Sequence, residues 1–417
     1  MPELHHFFEC LLPVSLCNLE CEYCYIIQEH RRAMKQIEFN YDTEHMLKAL
    51  RKERLGGICY FSFCGTGETL MQKDFIPLVH GLLHDGHYVN ITNNGTMTAK
   101  ILELMNTDMN DLSRLHFAFS LHYIELMKRG MLNLFAENVR RVHDAGCSFL
   151  VQMNLYDGYI PYLDEIKTFC RENFGALPQV AATRLEHPGN MRFHTEGSAD
   201  DYIAMGREFN SPLFEFTVRN FNVKRHEFCY AGAWSSRLIV KTGELNPCYA
   251  GGKSFNIFAD PDEPVKYFPV GRCRSSFCFN SSHFLSLGVI PGFNAPSYAA
   301  LRDRPEAQWY TPVMREFLSQ KLCDNNTQYT QAMKLLILTE DFMQTSYRKA
   351  RRIISRIMRK LHLRKDIDKD ERKLYNQQQP NVYTKEIHRV LSSGRNMQPE
   401  MQLLLHHPEK KMERKAA

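Results

Sequence analysis

Three cysteines near the start of the chain are placed for metal chemistry. Cys17-Asn-Leu-Glu-Cys21-Glu-Tyr-Cys24 is a CxxxCxxC segment. Three thiolates in one short loop can bind three corners of a [4Fe–4S] cube and leave the fourth iron open to another ligand. A closed structural zinc site needs a fourth protein ligand, and His30 is the nearest histidine downstream. Spacing alone leaves both chemistries open.

A second set follows far downstream. Cys229 and Cys248 bracket Lys241-Thr-Gly-Glu, which reads as a hairpin turn between strands at Leu238–Val240 and Leu245–Pro247. A hairpin brings its ends together, so the two thiols can share a metal. Cys273-Arg-Ser-Ser-Phe-Cys278 comes next, and four cysteines on this scale can hold a fully ligated cluster. Four thiolates also suit tetrahedral zinc. Of the 13 cysteines in the chain, Cys59 and Cys147 sit singly in apolar runs and read as small buried hydrophobes. Cys64 reads as packing.

These groups need elements to hold them. Strand-like and helix-like segments alternate through the first half. Strands are expected at Phe7–Val14, Gly57–Phe63, Tyr88–Thr92, Leu115–Leu121, Ser148–Leu155 and Gln179–Arg184. Helices are expected at Asp42–Arg54, capped by Asp42 or Thr43, and at Lys73–His84, Thr98–Met105, Leu132–Ala145 and Leu163–Asn173. Six β–α units in sequence imply parallel strands and right-handed crossovers. Functional groups then belong at the C-terminal strand ends. The triplet follows the first strand, Gly65–Glu68 the second and Asn93-Asn94-Gly95 the third, while Ser120 and His122 flank the end of the fourth.

With these motifs on one rim, the chain resembles the radical S-adenosylmethionine (radical SAM) family. CxxxCxxC with an aromatic residue before the third cysteine is similar to that family's signature. The resemblance implies a [4Fe–4S] cluster on Cys17, Cys21 and Cys24 whose open iron chelates S-adenosylmethionine. Reductive cleavage would give a 5′-deoxyadenosyl radical that takes hydrogen from a substrate. Gly65-Thr-Gly67-Glu68-Thr69 resembles the family's GGE motif, which implies that Glu68 accepts the methionyl amino group. Tyr23 would lie near the adenine, and Asn94 and Ser120 near the ribose or carboxylate. Residues 7–185 would fold as a partial (β/α)6 TIM-like barrel, with the core domain at 1–186. An electron donor such as flavodoxin or ferredoxin is implied.

Cys229-x13-Gly243-x4-Cys248 resembles the start of the SPASM and twitch auxiliary domains. Only Cys323 follows Cys278, so the shorter, one-cluster type is implied. Cys273 and Cys278 are the remaining ligand candidates, with His283 as a substitute. Relatives with such domains modify peptides, or dehydrogenate or rearrange sugars and alcohols. The first strand begins near Phe7, which weighs against a preceding peptide-recognition domain.

The chain has 417 residues, 44% of them hydrophobic, enough for two or three domains. The expected organisation is the core at 1–186, a linker at 187–209, a small α+β auxiliary domain at 210–311, a basic helical segment at 312–375 and a polar, partly disordered tail at 376–417. No signal peptide or run of 18 apolar residues is present, so a cytoplasmic address is expected. Cytosolic thiols stay reduced, which argues against structural disulfides. From Asp341 onward there are 19 Lys and Arg against 9 Asp and Glu, a net of +10, whereas the rest carries a net of −5. Within 347–365, Ile353, Ile354, Ile357, Met358 and Leu361 recur at helical spacing among basic residues. Such a helix suits an anionic membrane surface or a protein partner, or packs its stripe on the barrel. Few aromatics interleave with the charges, so nothing points to nucleic acid. The alternative reading of the whole chain is a zinc-binding scaffold with the basic helix as its contact surface.

Overall fold

The structure is a computed structural model that describes residues 2–28, 37–185 and 192–360. Six strands, β1 (His6–Leu12), β2 (Cys59–Gly65), β3 (Tyr88–Asn93), β4 (Leu115–Ser120), β5 (Ser148–Leu155) and β6 (Gln179–Ala182), pair in parallel in sequence order. Their residues are buried almost throughout, because crossover helices cover the sheet. This is the expected α/β architecture of a partial TIM-like barrel, followed by helices toward the C-terminus.

Local chemistry sets the crossovers. Helix α1 (Thr43–Leu50) starts where the Asp42 carboxylate accepts from the His45 amide at 2.8 Å. It ends before the expected Arg54, because Arg51 turns to extended geometry (φ −59°, ψ 142°). Helices α2 (Phe75–His84), α3 (Thr98–Met105), α4 (Leu132–Asp144) and α5 (Leu163–Phe174) complete the units through β6.

The sheet does not stop at six strands. β7 (Ser235–Ile239) pairs in parallel with the free edge of β1, in the register Glu9↔Arg237. β8 (Glu244–Asn246) and β9 (Phe255–Asn256) then add antiparallel, giving the order β9-β8-β7-β1-β2-β3-β4-β5-β6. The hairpin expected between residues 238 and 247 is therefore part of the core sheet. Helix α6 (Ala199–Arg207), capped by Ser198, occupies much of the stretch expected as a linker, and α7 (Pro212–Arg219) packs on β6. Met1–Phe342 forms one compact unit and a second begins at Met343. The nine-stranded sheet has strands on both sides of the expected boundaries near 186 and 210. The expected linker lies partly, and the tail at 376–417 wholly, outside the described residues.

The loop after β2 is packed tightly on the loop after β1. The Glu68 amide donates to the Leu16 carbonyl at 2.7 Å, and Thr66 Oγ1 donates to the Val14 carbonyl at 2.7 Å. A Cβ on Gly67 would stand 2.1 Å from the Leu16 oxygen, so only glycine allows this approach. Gly67→Ala is expected to lower stability by about 1–3 kcal/mol, as overpacking does. Urea denaturation measures this, with Gly197→Ala, whose Cβ would meet nothing nearer than 3.4 Å, as the near-neutral control.

Candidate functional site

The cysteine triplet forms a turn at the end of β1. Cys24 donates its amide to the Cys21 carbonyl at 3.0 Å, and a short helix, Tyr25–Gln28, follows. Cys21 is buried, and Cys17 and Cys24 are half-buried. Burial pushes the Cys21 thiol up, and the neighbouring Cys17 and Cys24 push it further. His30 lies outside the described residues.

The next two strand ends are tied to this turn. Glu68 is buried, with one carboxylate oxygen accepting from the Leu70 amide at 3.0 Å and the other from the Asn94 amide at 2.8 Å. Burial lifts its carboxyl to about 7, against the pull of those two amides. The Asn94 side chain donates to Asn18 Oδ1 at 2.7 Å, and Asn18 donates to Thr96 Oγ1 at 2.8 Å. Asn18 lies inside the triplet loop, so the loops after β1, β2 and β3 are hydrogen-bonded into one rim. Asn18 and Thr96 were not singled out by sequence, though Asn18 sits between two candidate ligands.

Ser120 ends β4, half-buried, in register with Gln152 of β5. Tyr23 is buried. Its hydroxyl meets His122 Nδ1, and its ring lies 4.7 Å from that of Tyr156. The Tyr159 hydroxyl reaches the Tyr23 hydroxyl at 3.4 Å. Burial brings His122 down to about 4, so its imidazole is neutral at pH 7. Tyr156 and Tyr159 follow β5 directly, and that aromatic pair at a strand end is the signal that could have found them.

The second set of cysteines comes together. Cys229, Cys248, Cys273 and Cys278 line one cavity with Ala231, Val270, Phe277, Leu285 and Ile290 among its apolar walls. The antiparallel pair Gly271↔Cys229 brings the chain before Cys273 alongside, and the β7–β8 hairpin delivers Cys248. Burial raises Cys248 to about 11 and Cys278 to about 12, with the neighbouring thiols adding to the effect. The Ala250 amide donates to Cys248 Sγ at 3.2 Å. His283 instead stacks on Tyr298 and approaches Glu9 Oε1 at 3.8 Å, so it faces the barrel interior. Among the described residues, no three His, Cys, Asp or Glu side chains close on a point as ligands of one ion, and no disulfide forms.

One buried acid joins the two regions. Glu9, in the middle of β1, accepts from the Tyr249 hydroxyl at 2.7 Å and from Asn280 Nδ2 at 2.5 Å. Tyr249 follows Cys248, and Asn280 lies two residues after Cys278. The Arg237 guanidinium covers the Tyr249 ring at 4.7 Å. Burial raises the Glu9 carboxyl, opposed by these two hydrogen bonds and by Arg237 and Arg302. A glutamate in the apolar run His-Phe-Phe-Glu-Cys-Leu-Leu was the available clue.

The chain matches no family model and no curated protein. Among solved structures it is similar to Streptococcus suis SuiB bound to S-adenosylmethionine, at 16% identity and a TM-score of 0.43. That match covers 61% of this chain and 64% of SuiB, so it spans less than two thirds of SuiB. Native anSMEcpe with bound AdoMet is similar at 13% identity over 83% of this chain and 100% of that one, with a TM-score of 0.41. BtrN in complex with AdoMet and 2-DOIA gives 13% identity, 78% and 92% coverage and a TM-score of 0.24. Likenesses at this level do not carry chemistry, which rests on the residues above.

Glu9→Leu leaves the Tyr249 hydroxyl and Asn280 without their acceptor. The expected loss is about 1–3 kcal/mol per buried group left unsatisfied, read as a lower urea midpoint.

Proposed function

We propose that this chain is a radical SAM enzyme. The observation that carries the reading is the hydrogen-bonded rim. Three thiols in one loop are tied through Asn18, Asn94 and Glu68 to the ends of β2 and β3. The donor set fits a [4Fe–4S] cluster with one open iron: three cysteines in one loop, with no fourth Cys or His between Cys17 and Cys24. Cys17, Cys21 and Cys24 would hold that cluster. When bound, it would supply the electron that cleaves S-adenosylmethionine reductively.

The remaining rim residues bind and orient. Gly65 and Gly67 keep the loop backbone close and free of side chains. Glu68 would pair with the methionyl ammonium, a charge-assisted contact that ionises the acid despite its burial. Asn94 and Ser120 would meet the carboxylate or ribose, and Tyr23, fixed by His122 and Tyr156, would wall the adenine. Cys229, Cys248, Cys273 and Cys278 would hold an auxiliary [4Fe–4S] cluster of the twitch or SPASM kind, in a cavity whose apolar walls exclude water. The substrate is a peptide, a sugar or an alcohol, and a flavodoxin or ferredoxin would deliver electrons.

Anaerobic purification is expected to give a brown protein with about seven to eight irons per chain, as two such clusters require. With dithionite and S-adenosylmethionine it releases 5′-deoxyadenosine, and Cys17→Ala does not. Stoichiometric zinc without iron would overturn the reading in favour of a zinc-bound scaffold.

Glu68 adds a pH signature. Its carboxyl titrates near 7 and only its ionised form pairs with an ammonium. Affinity for S-adenosylmethionine is therefore expected to rise from pH 6 to 7.5, and Glu68→Gln to flatten that rise. Calorimetric titration of the anaerobic protein measures it.

A further inference from the structure

Helix α8 (Gln331–Lys360) is attached to the body in its first turns, by the side opposite the apolar stripe those turns carry. In its first third, Ile337 and Leu338 lie over Gly271, where an added Cβ would meet them at 3.3 and 3.7 Å. The Asp341 carboxylate accepts from Arg274 at 2.5 Å, and the Lys334 ammonium stands 5.6 Å from the Phe228 ring centroid. These attachments leave Leu335, Leu336 and Phe342 pointing outward at 66–70% exposure.

At about 100° per residue, Leu335, Leu336 and Phe342 fall in one stripe roughly 120° wide. In the second unit, Met343, Tyr347, Ile353, Ile354 and Ile357 fall in an apolar stripe of their own, and all five are exposed. Lys349 and Arg351 are exposed on its two flanks. From Met343 to Lys360 the sequence has seven Lys and Arg and no Asp or Glu.

We propose that this helix lies on an anionic lipid surface. An apolar stripe flanked by cations matches acyl chains below a layer of negative headgroups. The cytoplasmic leaflet of a cell membrane has that chemistry. A second copy would set one row of seven cations against another. Residues 361–417 carry a net charge of +4, so like charge predominates there too. Nucleic acid would meet the charges and leave the stripe in water. No described helix is long and apolar enough to cross a membrane, so the contact is to a surface.

The test is co-sedimentation of the full chain with vesicles. Vesicles of phosphatidylcholine with one third phosphatidylserine are expected to bind it at least tenfold more tightly than phosphatidylcholine alone. The preference should fall in 0.5 M salt. The double variant Ile353→Glu/Ile357→Glu should lose binding to both vesicle types with its metal content unchanged. Lys349→Gln/Arg351→Gln should lose mainly the preference for phosphatidylserine. Equal binding to the two vesicle types, or binding that survives the stripe variant, would overturn the proposal. So would no vesicle binding together with stripe-dependent self-association or capture by an acidic protein.

Discussion

Both sets of cysteines depend on one strand. β1 pairs in parallel with β2 on one side and β7 on the other, so it is the point where the barrel strands and the hairpin region meet. Its C-terminal end runs into the Cys17–Cys24 loop. Its middle holds the Glu9 carboxylate that receives Tyr249 and Asn280 from the loops after Cys248 and Cys278. Parallel pairing fixes register on both sides, and a slip by one residue would turn Glu9 away from its partners. The separation between the two thiol sets is thus a property of the sheet rather than of a linker.

The electrostatics of the two sets share one logic. Burial alone disfavours thiolates, and each neighbouring thiol adds repulsion. An apolar enclosure of this kind opposes reactive free thiols and suits thiolates neutralised by a bound cation. Glu68 illustrates the same balance in a carboxyl group. Desolvation lifts it while two backbone amides hold the anion, leaving it near 7, where a cationic partner decides its state.

Much of this was legible in the sequence because the physics is local. Strands covered on both faces read as apolar runs, and β2 through β5 lie where those runs predict. Asp42 announces its helix, and the motifs at Gly65–Glu68 and Asn93–Gly95 sit at strand ends as expected. The parallel docking of β7 on β1 was not legible, since its partners lie more than two hundred residues apart and no turn dictates the pairing. Arg51 shortened α1 through backbone geometry that leaves no pattern in composition. Tyr156 and Tyr159 escaped notice because aromatics after a strand usually mean packing, and only the contact with Tyr23 distinguishes them. The four downstream cysteines could be grouped by spacing, but their common cavity depends on the pairing of Gly271 with Cys229.

Glu9 shows what a buried charge does that an apolar residue does not. Leucine at that position would pack the strand and avoid the desolvation cost of a carboxylate. Apolar contact is non-directional, so the loops after Cys248 and Cys278 could shift across it with little penalty. A carboxylate with its two oxygens engaged separately by a phenol and an amide sets distance and angle for both loops at once. Those loops begin beside two of the four thiols around the second cavity. Ligand positions must hold to fractions of an ångström for a metal centre to keep its geometry. A costly directional group in the core strand supplies that constraint for the two loops, and the same strand runs into the loop of the first three thiols.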